Sequence, residues 1–228
     1  MQPGGFHPKR VTDLIMPAQD PSANRRFRMS ERGLDALIQE LQLGSQTACL
    51  RASSEKLQSR SLMLTYKGRA VACMYSCKST PGTQQTTEQN LPLMLADLRL
   101  EDTEATLYDL PESVLLPMSS LFSGYPLKRD DYYDARAYMD FICKWFEDKR
   151  QTACLAITLP ADASTCLVFI YQGDFSGAFY VEEQKFTKDK SFVYNLLRSD
   201  PKATVEAALL TPEMISDPSG CGFGFNLS

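Results

Sequence analysis

Gln46-Thr47-Ala48-Cys49-Leu50 recurs letter for letter as Gln151-Thr152-Ala153-Cys154-Leu155, an offset of 105 residues. The offset continues without a gap through Ser59/Ser164, Leu62/Leu167, Tyr66/Tyr171, Gly68/Gly173 and Tyr75/Tyr180. Ten of the thirty aligned positions are identical, where composition alone gives about two, at roughly one chance in sixteen per position. A duplication of this kind fixes the scale of the fold, because each copy must be a supersecondary unit of its own.

Upstream, Leu34, Leu37, Ile38 and Leu41 form an i, i+3, i+4, i+7 stripe, the pattern of a helix with one buried face. Adding 105 lands on Met139, Ile142, Cys143 and Phe146, again apolar throughout. Ser30 and Asp134 are the expected N-caps. Strands are expected at 47–53 and 152–158, at 61–66 and 166–171, and at 70–75 and 175–182. Lys67-Gly68 and Gln172-Gly173 supply the tight turns, since Gly reaches positive φ without steric cost. Second helices are expected at 91–99 and 191–198, and last strands at 105–110 and 203–209.

The expected class is therefore α+β: two tandem α-β-β-β-α-β repeats, each an antiparallel sheet with helices on one face. The repeats span 30–110 and 134–215. Residues 111–133 are apolar enough to form a packed connector containing a short helix. Residues 1–29 and 216–228 read as tails, the second flexible through its glycines.

The hairpin Leu64-Thr65-Tyr66-Lys67-Gly68-Arg69-Ala70-Val71-Ala72, with Tyr171, Gly173 and Gly177 at the matching places of the second copy, resembles the central hairpin of the PATAN-type domain. That module is bacterial and is often fused to response-regulator or signalling domains. The resemblance covers about 34–110 and 139–210, and it implies protein–protein interaction in bacterial signalling or motility, without catalysis. Roadblock-like and secretion-chaperone-like α/β folds share the same coarse element order.

The chemistry-bearing residues point the same way. His7, the sole histidine, lies in the first tail, whereas Ser-His-Asp and Cys-His machinery needs a histidine on a rigid element. Seven cysteines without a Cys-x-x-Cys predict neither a disulfide framework nor a zinc site. Cys49 and Cys154 sit at equivalent strand positions and read as core. Glu182-Glu183 and Asp130-Asp131 read as solvated surface. No phosphate loop or metal-ligand spacing occurs, so no cofactor and no metal are expected, and the chain is expected not to be an enzyme.

A net charge of -4 with interleaved signs is not a nucleic-acid footprint. The short basic run Arg25-Arg26-Phe27-Arg28 reads as solvated. No apolar run is long enough for a membrane span, the first residues lack a secretory pattern, and a cytoplasmic location is expected. The expected partner is another protein. The alternative is a sensor holding a small molecule between the copies, in a pocket lined by Tyr66, Tyr171, Tyr75 or Tyr180. Trp145, beside Tyr138, Phe141 and Phe146, marks an aromatic helix face that serves an inter-copy contact or a partner.

Overall fold

A computed structural model describes residues 24–78, 86–127 and 134–225. These fall into two compact units, 24–115 with 216–225, and 116–215. The class is α+β, with one antiparallel sheet in each unit.

The first unit runs β1 (Arg25–Arg28), α1 (Met29–Arg32), α2 (Leu34–Leu43), β2 (Ala48–Ser54), β3 (Ser59–Tyr66), β4 (Arg69–Cys77), α3 (Thr87–Leu98) and β5 (Glu104–Asp109). Its sheet order is β1-β5-β2-β3-β4. A connecting helix, α4 (Glu112–Ser123), follows. The second unit continues with β6 (Tyr125–Leu127), α5 (Ala135–Lys149), β7 (Ala153–Leu159), β8 (Ser164–Tyr171), β9 (Asp174–Tyr180), β10 (Lys185–Thr187), α6 (Lys190–Ser199), β11 (Thr204–Leu209) and α7 (Pro212–Ser216). Its order is β10-β9-β8-β7-β11-β6.

The two hairpin sheets share one register. Cys49 opposes Leu64 as Cys154 opposes Phe169, and Ser61 opposes Tyr75 as Cys166 opposes Tyr180. The same β-bulge falls between Leu64 and Thr65 and between Phe169 and Ile170. Left-handed residues recur at the same offset: Ser45/Arg150, Gln58/Ala163, Lys67/Gln172 and Gly68/Gly173. Positive φ at both central residues makes Lys67-Gly68 and Gln172-Gly173 type I′ turns, whose twist matches that of the strands they join.

The repeated pentapeptide is explained by this geometry. The Gln46 and Gln151 amides donate to the carbonyls of Leu41 and Phe146, closing the ends of α2 and α5. Their own carbonyls accept from the amides of Gly68 and Gly173 at 3.0 and 2.7 Å. The hydroxyls of Thr47 and Thr152 accept from the amides of Lys67 and Gln172. Ala48, Cys49, Leu50 and their counterparts are wholly buried. The motif thus locks helix end, strand and turn together.

In the first unit, α2 and α3 bury Leu37, Ile38, Leu41 and Met94 against Ala48, Leu50 and Met63 on one sheet face. In the second, α5 and α6 bury Met139, Ile142, Phe146 and Val193 against Leu155, Val168 and Tyr180. The opposite faces are also apolar and buried, with Cys49, Leu62 and Leu64 in one sheet and Cys154, Leu167 and Phe169 in the other.

Several details differ from the sequence expectation, the unexpected short elements β6, β10 and α7 among them. Ser30 caps nothing: a short helical turn precedes α2, whose N-cap is Gly33 at φ 74°. Asp134 does cap α5, accepting from the Ala137 amide at 2.7 Å. Helix α3 begins at Thr87, four residues early, because Thr86 and Gln89 form a reciprocal capping box. Residues 25–32 are a strand and a helical turn. Residues 217–225 pack onto the first unit, with Phe225 in its core. The remaining expected tail and connector residues, 1–23, 128–133 and 226–228, lie outside the described residues, as do His7 and Asp130-Asp131. The expected connector helix is present, with Val114, Leu115 and Met118 buried.

Candidate interaction surfaces

The tyrosines named from the sequence occupy opposite ends of each hairpin. Tyr66 opposes Arg69 and Tyr75 opposes Ser61, a separation of five residues or about 16 Å along β3. The same holds for Tyr171 and Tyr180 in the second unit. Each hydroxyl is engaged. Tyr66 donates to Glu112 at 2.9 Å, and the Lys67 ammonium lies 5.0 Å from its ring centroid. The Tyr171 hydroxyl accepts from the Gln172 side-chain amide. Tyr180 donates to Ser164 at 2.9 Å and meets Phe192 edge-on. The partly buried Trp145 rests against Phe146 and its own unit's core.

Tyr75 joins a buried carboxylate in the first unit, Asp97. Its hydroxyl donates to Asp97 Oδ1 at 3.1 Å, and Ser59 donates to Asp97 Oδ2. Burial, then Asp97, push the Tyr75 phenol up to about 12. The second unit keeps the Ser-Tyr pair, but α6 carries no acid beside it. Ser59 and Asp97 are 2% and 4% exposed, so this is an internal hydrogen-bond cluster. Asp97→Ala leaves the buried Ser59 hydroxyl and the half-buried Tyr75 hydroxyl short of an acceptor and is expected to cost about 2–4 kcal/mol. Asp97→Asn, which keeps an acceptor, is expected to cost less. Urea midpoints check this, and ultraviolet titration should show the Tyr75 phenol moving down in the alanine variant.

The cysteines of the repeated motif are poor nucleophiles. Burial pushes the thiols of Cys49 and Cys154 well up from their ordinary range, which holds them neutral. Among the described residues no three His, Cys, Asp or Glu side chains are grouped to hold a metal, and no helix is long and apolar enough to cross a membrane.

The basic run at β1 is neutralised within its unit. Arg25 pairs with Glu40 and Asp109, Arg26 and Arg28 with Glu104, and Arg32 with Glu40.

The ends of the sheets are guarded. In the second unit β10 covers β9, with Lys185 opposite Tyr180 and Thr187 opposite Ala178. Its Phe186 ring lies over Gly177, where an added Cβ would come within 2.4 Å of the ring. The first unit has Ala72 at the place of Gly177 and does its edge pairing differently. The Cys73 amide donates to the Thr87 hydroxyl, and the Cys73 carbonyl accepts from Asn90. Two side chains of α3 therefore take the groups that Thr187 takes in the second unit. The other ends carry charge in β1 and Pro126 in β6, both devices that discourage strand addition.

The helical surfaces differ more. Position 40 is Glu40, held by Arg25 and Arg32, and its counterpart is Trp145. Position 36 is Ala36, and its counterpart Phe141 is 52% exposed. Strand β1 places Arg25 opposite Leu107, where β6 places Leu127 opposite Ala207. An ion-paired corner in the first unit has become an apolar and aromatic corner in the second. Comparison with protein-family models, with curated proteins and with solved structures finds no match.

Proposed function

We propose that the chain is a cytoplasmic, non-enzymatic interaction or adaptor protein that binds another protein through the helical face of its second unit. The observation that carries this reading is Phe141, one turn before Trp145 on α5 and half exposed. Large aromatic side chains at a surface are the residues that most often dominate binding energy. Support comes also from what surrounds it: the sheet ends are guarded, the motif cysteines are buried and neutral, and the arginines of β1 are paired with acids. The PATAN-type resemblance of the hairpin adds a setting in bacterial signalling or motility.

The test is native mass spectrometry of the tagged protein purified gently from its own host, beside a Phe141→Ala variant. A protein at fixed stoichiometry with the native chain, weakened by about 30-fold or more in the variant while thermal stability stays within about 0.5 kcal/mol, supports the reading. Equal retention by both proteins overturns the assignment of the face. A bound small molecule without any protein partner overturns the adaptor reading in favour of a sensor.

A further inference from the structure

Position 70 is where the two hairpins solve the same packing problem differently. Its counterpart, Phe175, packs its own ring against the second core. Ala70 is wholly buried with no ring to contribute, and the first core instead contains Phe225, 7% exposed. The segment that carries Phe225 reaches this core along the start of β4. The Ala70 amide donates to the Phe223 carbonyl at 2.9 Å, and the Phe223 amide donates back at 2.8 Å. The Arg69 guanidinium donates to the Gly222 carbonyl at 2.9 Å through Nε.

The hold is local and sequence-selective. A Cβ at Gly222 would lie 2.7 Å from that of Arg69, so the approach to β4 requires a glycine there. Phe225 fills the core, while Phe223 remains 37% exposed and Gly224 has open space around it. One antiparallel bridge, one guanidinium and one buried ring make up the recognition. This is how a sheet edge with one side-chain pocket receives an extended peptide.

We propose that the first unit is a receptor for a Gly-x-x-Phe peptide, and that residues 217–225, a turn followed by a short stretch bridged to β4, are its ligand, bound in cis. The second unit has no such site because Phe175 occupies the place from within its own strand. The segment is exchangeable: a peptide of the same sequence supplied in trans competes for the site.

The experiment measures binding of a labelled, reduced peptide of residues 217–225 to the full-length chain carrying Phe225→Ala. Wild type and the double variant Ala70→Phe/Phe225→Ala serve as comparisons, with a peptide lacking both phenylalanines as control. Saturable binding to Phe225→Ala, at least about tenfold tighter than to the other two proteins, is the expected result. Ala70→Phe is expected to restore the hydrogen-exchange protection of β3 and β4 that Phe225→Ala loses. Absence of binding to a folded Phe225→Ala chain, or equal binding to all three proteins, overturns the proposal. Should Phe225→Ala fail to fold, a protease site placed between Ser216 and Asp217 of the otherwise native chain takes its place. After cleavage the fragment should stay with the body on gel filtration and leave with excess peptide. A fragment lost at once and never rebound overturns the proposal, and so does one that excess peptide cannot displace.

Discussion

Stability should be flat between pH 7 and 8 and should fall steeply above pH 9. The cause is five buried thiols: Cys49 and Cys73 in the first unit, and Cys143, Cys154 and Cys166 in the second. Burial raises all five, Cys143 to about 11 and Cys166 to about 12. In the unfolded chain a thiol titrates near its ordinary value of about 9. Above that pH the unfolded state binds fewer protons than the folded one, so stability falls as pH rises. The contribution is complete below pH 9 and is lost progressively toward the folded-state values. Each thiol accounts for a little over 1 kcal/mol per pH unit, so five give roughly 7 kcal/mol per pH unit, from two thiols in the first unit and three in the second. Against a total of about 5–15 kcal/mol for a domain, the effect is large. Urea midpoints at pH 7, 8, 9 and 10 measure it, and replacing Cys49 by Ala should flatten the fall. Midpoints unchanged from pH 8 to 10 would show that the thiols are not held neutral in the fold. The same chemistry bears on function, because a nucleophilic cysteine must ionise near neutrality. A thiol reagent at pH 7.5 should modify the exposed Cys221 and spare the five buried thiols.

The largest effect of a single substitution is expected at the hairpin turns. Gly68 and Gly173 sit at φ 79° and 91°, where a β-branched residue is a conformational outlier. A Cβ at 68 would meet the Leu41 carbonyl at 2.8 Å and Gln42 Cα at 2.9 Å. At 173 it would meet Glu147 Cα and the Phe146 carbonyl at 3.0 Å. These neighbours are backbone at the ends of α2 and α5, and so cannot move aside as a flexible side chain would. Backbone strain of about 1–3 kcal/mol adds to overpacking of about 1–3 kcal/mol. Gly68→Val should therefore cost about 3–5 kcal/mol, and Gly173→Val slightly less. Gly224→Ala, with open space around it, should be close to neutral by comparison. Thermal and urea unfolding of the three variants decide the matter. A mild effect at either turn would mean that the turn does not rest on its helix.

The parts of the fold legible in the sequence were those set by local pattern. Leu34, Leu37, Ile38 and Leu41 mark α2 because their spacing is the helical period, and Lys67-Gly68 marks a turn because glycine is what the second turn position favours. The parts that escaped depend on partners distant in the chain. Strands β1, β6 and β10 are three or four residues long, too short to show alternation. Arg25 and Arg26 look like a solvated basic run until Glu40, Glu104 and Asp109 are brought beside them. Phe223 and Phe225 sit among glycines that suggest flexibility, and only the small side chain of Ala70 hints that a ring is wanted from elsewhere. For the candidate sites, the sequence grouped Tyr66 with Tyr75 through shared residue type, but the register places them at opposite ends of a strand. Phe141 was visible as part of an aromatic helix. What it could not show was which ring faces the core and which faces solvent.

The duplication is tested most directly by nuclear magnetic resonance, through contacts between α-protons of directly opposed strand residues. In antiparallel pairs that do not exchange hydrogen bonds the α-carbons lie about 4.5 Å apart, and their protons give strong cross-peaks. Cross-peaks joining Ser61 to Tyr75 and Met63 to Cys73, matched by Cys166 to Tyr180 and Val168 to Ala178, are the expected result. A shifted register in either hairpin, or such contacts in one half of the chain alone, would contradict the conclusion that the chain is one unit built twice.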